Sequence, residues 1–224
     1  MERSELYGPL ALDIAVRGAL AEQVLRVLRE AIEGSAAELR GSLAEGRADA
    51  WSDIDLLWEV PDAHVEAAVA CVADILATVG PVESLRWAPE FQRSDKRRLL
   101  FVQFEGMPLF WRVDIDLFAQ SIRCDPAYDR DNEAARGEDW SLTHSALMNA
   151  IAAVKALLRS QEEIARGLLQ RGFVRVGLQV PAGTAQDLIL ALAQDVAAMD
   201  PAVAGLARRI EALHRAAFGS GGEA

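Results

Sequence analysis

At 224 residues the chain is long enough to bury a sizeable core and to hold one large or two small domains. An apolar fraction of 51% and a charged fraction of 25% are ordinary for a globular protein, and charges interrupt every apolar run before it reaches membrane-spanning length. The net charge of −11, from 34 acids against 23 Lys and Arg, argues against nucleic acid as a substrate and for a small or cationic one.

The N-terminus, Met1-Glu2-Arg3-Ser4-Glu5, lacks the basic start and apolar core of a secretory signal. Cys71 and Cys124 form no metal-ligand or redox spacing, so the expected location is cytoplasmic. Residues 10–33 read as one amphipathic helix, with Leu12, Val16, Leu20, Val24, Leu25 and Leu28 near helical spacing and Gly34 at its end. Residues 36–40 then predict a short buried strand that delivers Gly41 and Ser42. The small and polar stretch 43–51 suits a short helix and a loop, in which Arg47 is either a phosphate contact or a solvated charge.

Asp53 and Asp55 stand two apart in a run otherwise made of Ile54, Leu56, Leu57, Trp58 and Val60. A strand alternates its side chains, so both carboxylates point to one face. Like charges that close weaken a purely structural strand. A divalent cation between them reverses that penalty, and Mg²⁺ is typically held by one or two carboxylates together with substrate phosphates. Gly41 and Ser42 just upstream supply the complement, because a glycine lets backbone approach a ligand and exposed N–H groups at a turn suit a phosphate.

Pro61-Asp62 predicts a helix start with Asp62 as N-cap, continued by Val65, Ala68, Val69, Val72, Ile75 and Leu76 and ended by Gly80-Pro81. Three strands are expected next, over 82–87, 98–104 and 110–118, the last two joined as a hairpin by the turn 105–108. Lys96-Arg97-Arg98 reads as a solvated strand end, with phosphate binding the lesser alternative. The last strand holds Trp111-Arg112-Val113-Asp114-Ile115-Asp116, which places Asp114 and Asp116 on one face. Residues 125–139 form a polar linker with Asp125, Asp129, Asp131, Glu133, Glu138 and Asp139 against Arg130 and Arg136. It reads either as a solvated connector or as an attractor for a positively charged substrate.

Helical spacing returns over 140–158, 162–171, 184–199 and 201–218, with Ser141 as an N-cap, which suggests an up-and-down bundle. The tail, 219–224, is expected to be disordered. His64, His144 and His214 lie far apart in helical patterns and read as surface or packing residues.

Gly41-Ser42, ten intervening residues and Asp53-Ile54-Asp55-Leu56 together resemble the signature of the nucleotidyltransferase superfamily with the polymerase-beta-like fold. The resemblance covers roughly the first 120 residues. It implies a third carboxylate on a later strand, aligned at Asp114, with Asp116 the fallback on the same face. The implied fold is α+β: a mixed-sheet catalytic domain over 1–124, the acidic linker 125–139 and an all-helical domain over 140–218 that helps to bind the acceptor. Asp53, Asp55 and Asp114 are then the catalytic and metal-binding residues for Mg²⁺. Gly41, Ser42 and, on the helical domain, Lys155 are the contacts to a nucleoside triphosphate, expected to be ATP. The implied reaction is metal-dependent transfer of a nucleoside monophosphate to a hydroxyl of a small, cationic acceptor, as in the aminoglycoside and lincosamide modifiers. The runners-up are a protein adenylyltransferase of antitoxin type and a degenerate nucleotide-binding protein. Neither nucleic acid nor membrane is expected as a partner.

Overall fold

The computed structural model describes residue 10 and residues 12–219, which fall into two compact units, 12–140 and 141–219. The first opens with α1 (Ile14–Ala31), which starts four residues later than the apolar spacing suggests because Asp13 caps it, accepting from Ala15 N. A four-residue strand β1 (Ala36–Leu39), the short helix α2 (Gly41–Ala44) and strand β2 (Ile54–Val60) follow. Next come α3 (Val65–Ala77), β3 (Val82–Trp87), β4 (Arg97–Phe104) and β5 (Val113–Ala119).

The five strands form one mixed sheet in the order β1-β2-β5-β4-β3. Only β2 and β5 run parallel; β1 with β2, β5 with β4 and β4 with β3 are antiparallel. Alternation along the two central strands separates the faces. Ile54, Leu56, Trp58, Val113, Ile115 and Leu117 are fully buried and share a core with Leu20, Val24 and Leu28 of α1 and Val72 and Leu76 of α3. Asp55, Asp114 and Asp116 occupy the alternate positions and remain half-buried.

Three expectations are corrected in detail. Asp62 does not cap a helix: it lies in a 3-10 turn, Asp62–His64, and its carboxylate accepts from Ser121 N and Oγ. The last strand begins at Val113, because Phe110 and Trp111 are buried from a turn in which Trp111 N donates to Pro108 O. The run Lys96-Arg97-Arg98 is not a solvated end either, since Arg97 and Arg98 are buried. Arg97 forks onto Asp116, Nε to Oδ1 at 3.1 Å and Nη2 to Oδ2 at 2.9 Å, between the rings of Phe91 and Phe118. The acidic stretch is exposed along most of its length. It packs onto the first unit through Pro126 O to Arg97 Nη1, Ala135 O to Arg93 N and Gly137 N to Pro89 O.

The second unit holds α4 (Leu142–Leu158), α5 (Glu162–Arg175), α6 (Ala185–Met199) and α7 (Ala204–Phe218). Ser141 caps α4, and Thr184 with Asp187 forms a reciprocal capping box on α6. A Cβ on Gly172 would lie 2.6 Å from Leu192 Cδ2, so glycine there lets α5 approach α6 closely. Leu147, Ile151, Phe173, Leu192 and Ile210 are buried within this unit. Residue 219 ends the described chain, so the expectation for 220–224 lies outside the described residues.

The Arg97–Asp116 fork generates a test of the sheet. Breaking a buried ion pair leaves one charge uncompensated, so Arg97→Met should cost about 3 kcal/mol in urea unfolding. The double replacement Arg97→Met with Asp116→Leu should recover most of that loss. Equal losses in the single and double variants would show that the pair does not carry the effect.

Candidate functional site

Register builds the site. Asp55 on β2 lies opposite Asp114 on β5, Asp114 lies opposite Phe101 on β4, and Phe101 lies opposite Arg86 on β3. One row across four strands therefore reads carboxylate, carboxylate, aromatic ring, guanidinium. Asp53 immediately precedes β2 and shares the face of Asp55. Asp116 is opposite Leu57, one step further along, with both its oxygens on Arg97. Burial raises the pKa of Asp116, opposed by its hydrogen bonds to Arg97 and that residue's charge.

Gly41 meets this row at the β2 end. Its φ of +57° is left-handed, and a Cβ there would lie 2.3 Å from Asp55 Oδ2. Arg40 N donates to Asp55 O at 2.7 Å, which fixes the Gly41-Ser42 turn against the carboxylate. Ser42 is half-buried in α2 beside it. Arg47 pairs with Glu45. Lys155 lies half-buried in α4 of the second unit.

Asp53 is delivered by a clamped loop. Arg17, only 4% exposed, donates from Nη1 to Asp49 O at 2.5 Å and to Ser52 O at 3.0 Å. Ser52 Oγ donates to Asp49 Oδ1 at 2.9 Å, and Trp111 Nε1 donates to Ala50 O at 3.0 Å. Burial lowers the pKa of Arg17, while Asp49 and Asp53 oppose that shift, so the clamp also answers the charge of Asp53.

Arg112 is the internal counter-ion. It forks onto Asp114, with Nε to Oδ1 and Nη2 to Oδ2 both at 2.5 Å, and its guanidinium lies 4.6 Å from the Phe101 centroid. Burial disfavours its charge, but Asp114, then Asp53 and Asp55, outweigh burial and raise its pKa above the ordinary arginine value. Arg112 thus interacts with all three carboxylates, and Arg17 with Asp53 as well. Arg86 is the reverse case: burial first, then the charge of Arg112, push it down to about 10, with only Asp114 opposing.

These residues fit a hard cation in part. Asp53 and Asp55 with substrate phosphates are a donor set that Mg²⁺ takes, and Gly41 leaves room at Asp55 that a Cβ would fill. Among the described residues no three His, Cys, Asp or Glu side chains stand at metal-ligand geometry. Both oxygens of Asp114 face Arg112.

Sequence reasoning named the carboxylates and the Gly-Ser turn but missed Arg17, Arg86 and Arg112. A signal existed for two of them. Arg17 shares the helix face of Leu20, Ala21 and Val24, and Arg112 is at i−2 from Asp114, on its face of the chain.

No protein-family model matches the chain, and no curated protein matches it significantly. Among solved structures, it is similar to the GLD-2/RNP-8 complex at 13% identity and TM-score 0.33, over 79% of this chain and 74% of that one. It is also similar to the poly(A) polymerase complex of GLD-2 with GLD-3, at 16% identity and TM-score 0.31, over 79% of this chain and 67% of that one. Likeness at this level does not bear on function.

The Gly41 contact yields a double-mutant test. Gly41→Ala should cost about 1–2 kcal/mol for the left-handed backbone alone, plus the displacement of Asp55. In an Asp55→Ala background the second part disappears, so urea midpoints should show less than additive losses. Fully additive losses would mean that Gly41 and Asp55 do not touch.

Proposed function

We propose that this chain transfers a nucleoside monophosphate from a nucleoside triphosphate to a hydroxyl of a small acceptor, releasing pyrophosphate. The observation that carries the reading is the Asp55–Asp114 register, with Asp53 on the same face and Gly41 packed against Asp55. That arrangement supports the reading drawn from the motif resemblance at Gly41, Asp53, Asp55 and Asp114.

Asp53 and Asp55 would hold Mg²⁺, which when bound supplies charge neutralisation at the α-phosphate and the departing pyrophosphate. Ser42 Oγ donates to a phosphate oxygen, and the missing Cβ of Gly41 lets the phosphates approach the backbone. In the transfer, the acceptor oxygen forms a bond to the α-phosphorus as the bond to the bridging oxygen breaks and pyrophosphate leaves. The hydroxyl proton passes to Asp114 once its carboxylate leaves Arg112.

One observation favours a second reading. Arg112 already neutralises Asp114, which suits a protein that binds nucleotide without turning it over. Activity separates the two. Asp53→Asn and Asp55→Asn should each lower pyrophosphate release from ATP and Mg²⁺ by about 10²-fold or more, with unfolding midpoints preserved or raised by relief of like-charge repulsion. Release that persists in both variants would remove the assignment. ATP binding without release in the unaltered chain would favour the non-catalytic reading.

A further inference from the structure

Arg86 is the cation that the proposed reaction leaves unused. Its guanidinium lies 5.1 Å from the Trp140 centroid and 5.9 Å from that of Phe101, and those rings meet edge-to-face at 6.0 Å. Its Nε and Nη1 are buried and have no hydrogen-bond partner among the described residues. Asp114, the carboxylate two strands away in the same row, has both oxygens on Arg112. The neighbouring cation, Arg112, repels it. A half-buried guanidinium with unpaired buried N–H groups is costly, and folded proteins rarely keep one without a use.

We infer that Arg86, walled by Phe101 and Trp140 and backed by Arg112, is the seat for an anionic oxygen group, a carboxylate or phosphate, carried by the acceptor. A planar guanidinium with two unengaged N–H groups matches such a group, and the aromatic walls strengthen the pairing by excluding water. The assignment to the acceptor rests on the nucleotidyl-transfer reading. In-line displacement puts the attacking and leaving oxygens on opposite sides of the α-phosphorus. With pyrophosphate departing toward Gly41 and Ser42, beyond Asp55, the acceptor enters from the side of β4 and β3, where Arg86 stands. At a strand spacing of about 4.8 Å, Arg86 is about 10 Å from Asp114, so the anion and the reacting hydroxyl lie on different parts of one molecule.

An anionic group on the acceptor departs from the cation that net charge suggested. Among the linker acids behind that expectation, Asp125 accepts from Ala127 N and Asp129 from Asn132 Nδ2.

Inorganic phosphate and acetate serve as probes, read by calorimetry and by thermal shift, with and without a saturating non-hydrolysable ATP analogue and Mg²⁺. Phosphate should bind and raise the melting temperature of the unaltered protein in both conditions. Arg86→Met should weaken phosphate binding about tenfold or more, while the probe-free protein melts at the same or a higher temperature because an uncompensated charge has gone. Arg86→Lys, which keeps the charge but not the fork, should retain part of the binding and guards against a folding defect in the first variant. No phosphate binding, or binding unchanged by Arg86→Met, overturns the site. Competition by the nucleotide analogue overturns its assignment to the acceptor and gives the anion to the triphosphate. Arg86-dependent phosphate binding in a protein that binds no nucleotide upholds the anion site and removes the transfer reading instead.

Discussion

The parallel pairing of β2 with β5 is the constraint on which the rest of the first unit depends. It sets Asp55 directly opposite Asp114 and puts Asp53 at the head of the same face. Side chains opposite each other on adjacent strands are close neighbours, so three carboxylates there require positive charge. The chain supplies it from two sides. Arg17 reaches from α1 to the loop that carries Asp53, and Arg112 forks onto Asp114 from the same strand end. Protein cations therefore answer these carboxylates before any ligand arrives, and the charge that a ligand brings must compete with an arginine already in place.

Asp114 and Asp116 show how neighbours on one face diverge in role. Each is held by a two-pronged arginine, Asp114 by Arg112 and Asp116 by Arg97. Arg97 is clasped by Phe91, Phe118 and Pro126 O, which makes its pair part of the packing. Arg112 instead faces a row that ends at Gly41 on one side and Arg86 on the other. The row has a polarity, anionic at β2 and β5 and cationic at β3.

Local patterns made much of this legible. The i, i+2 carboxylates, the Gly41-Ser42 turn, the amphipathic helices and the four-helix C-terminal unit follow from periodicity and turn residues that act within a few positions. What stayed hidden depends on partners distant in the chain. Arg17 reaches a loop more than thirty residues on, and composition treats such an arginine as solvent-exposed. Phe110 and Trp111 were readable as buried but not as a turn, because an apolar run reports burial and not backbone pairing. Asp62 had a capping signature, yet its carboxylate serves Ser121, which joins the end of β5 to the start of α3. The row that brings Arg86 into line with Asp55 required the strand order, which no local pattern contains.

The central claim is that Asp53 and Asp55 hold a divalent ion together with nucleotide phosphates, against the competing charge of Arg112. Electron paramagnetic resonance of Mn²⁺ titrated into the protein, with and without the non-hydrolysable ATP analogue, tests it most directly. The account predicts weak Mn²⁺ binding alone, strong binding with nucleotide, and loss of the nucleotide-dependent signal in Asp53→Asn and in Asp55→Asn. Mn²⁺ binding that ignores nucleotide, or that survives both substitutions, would contradict it.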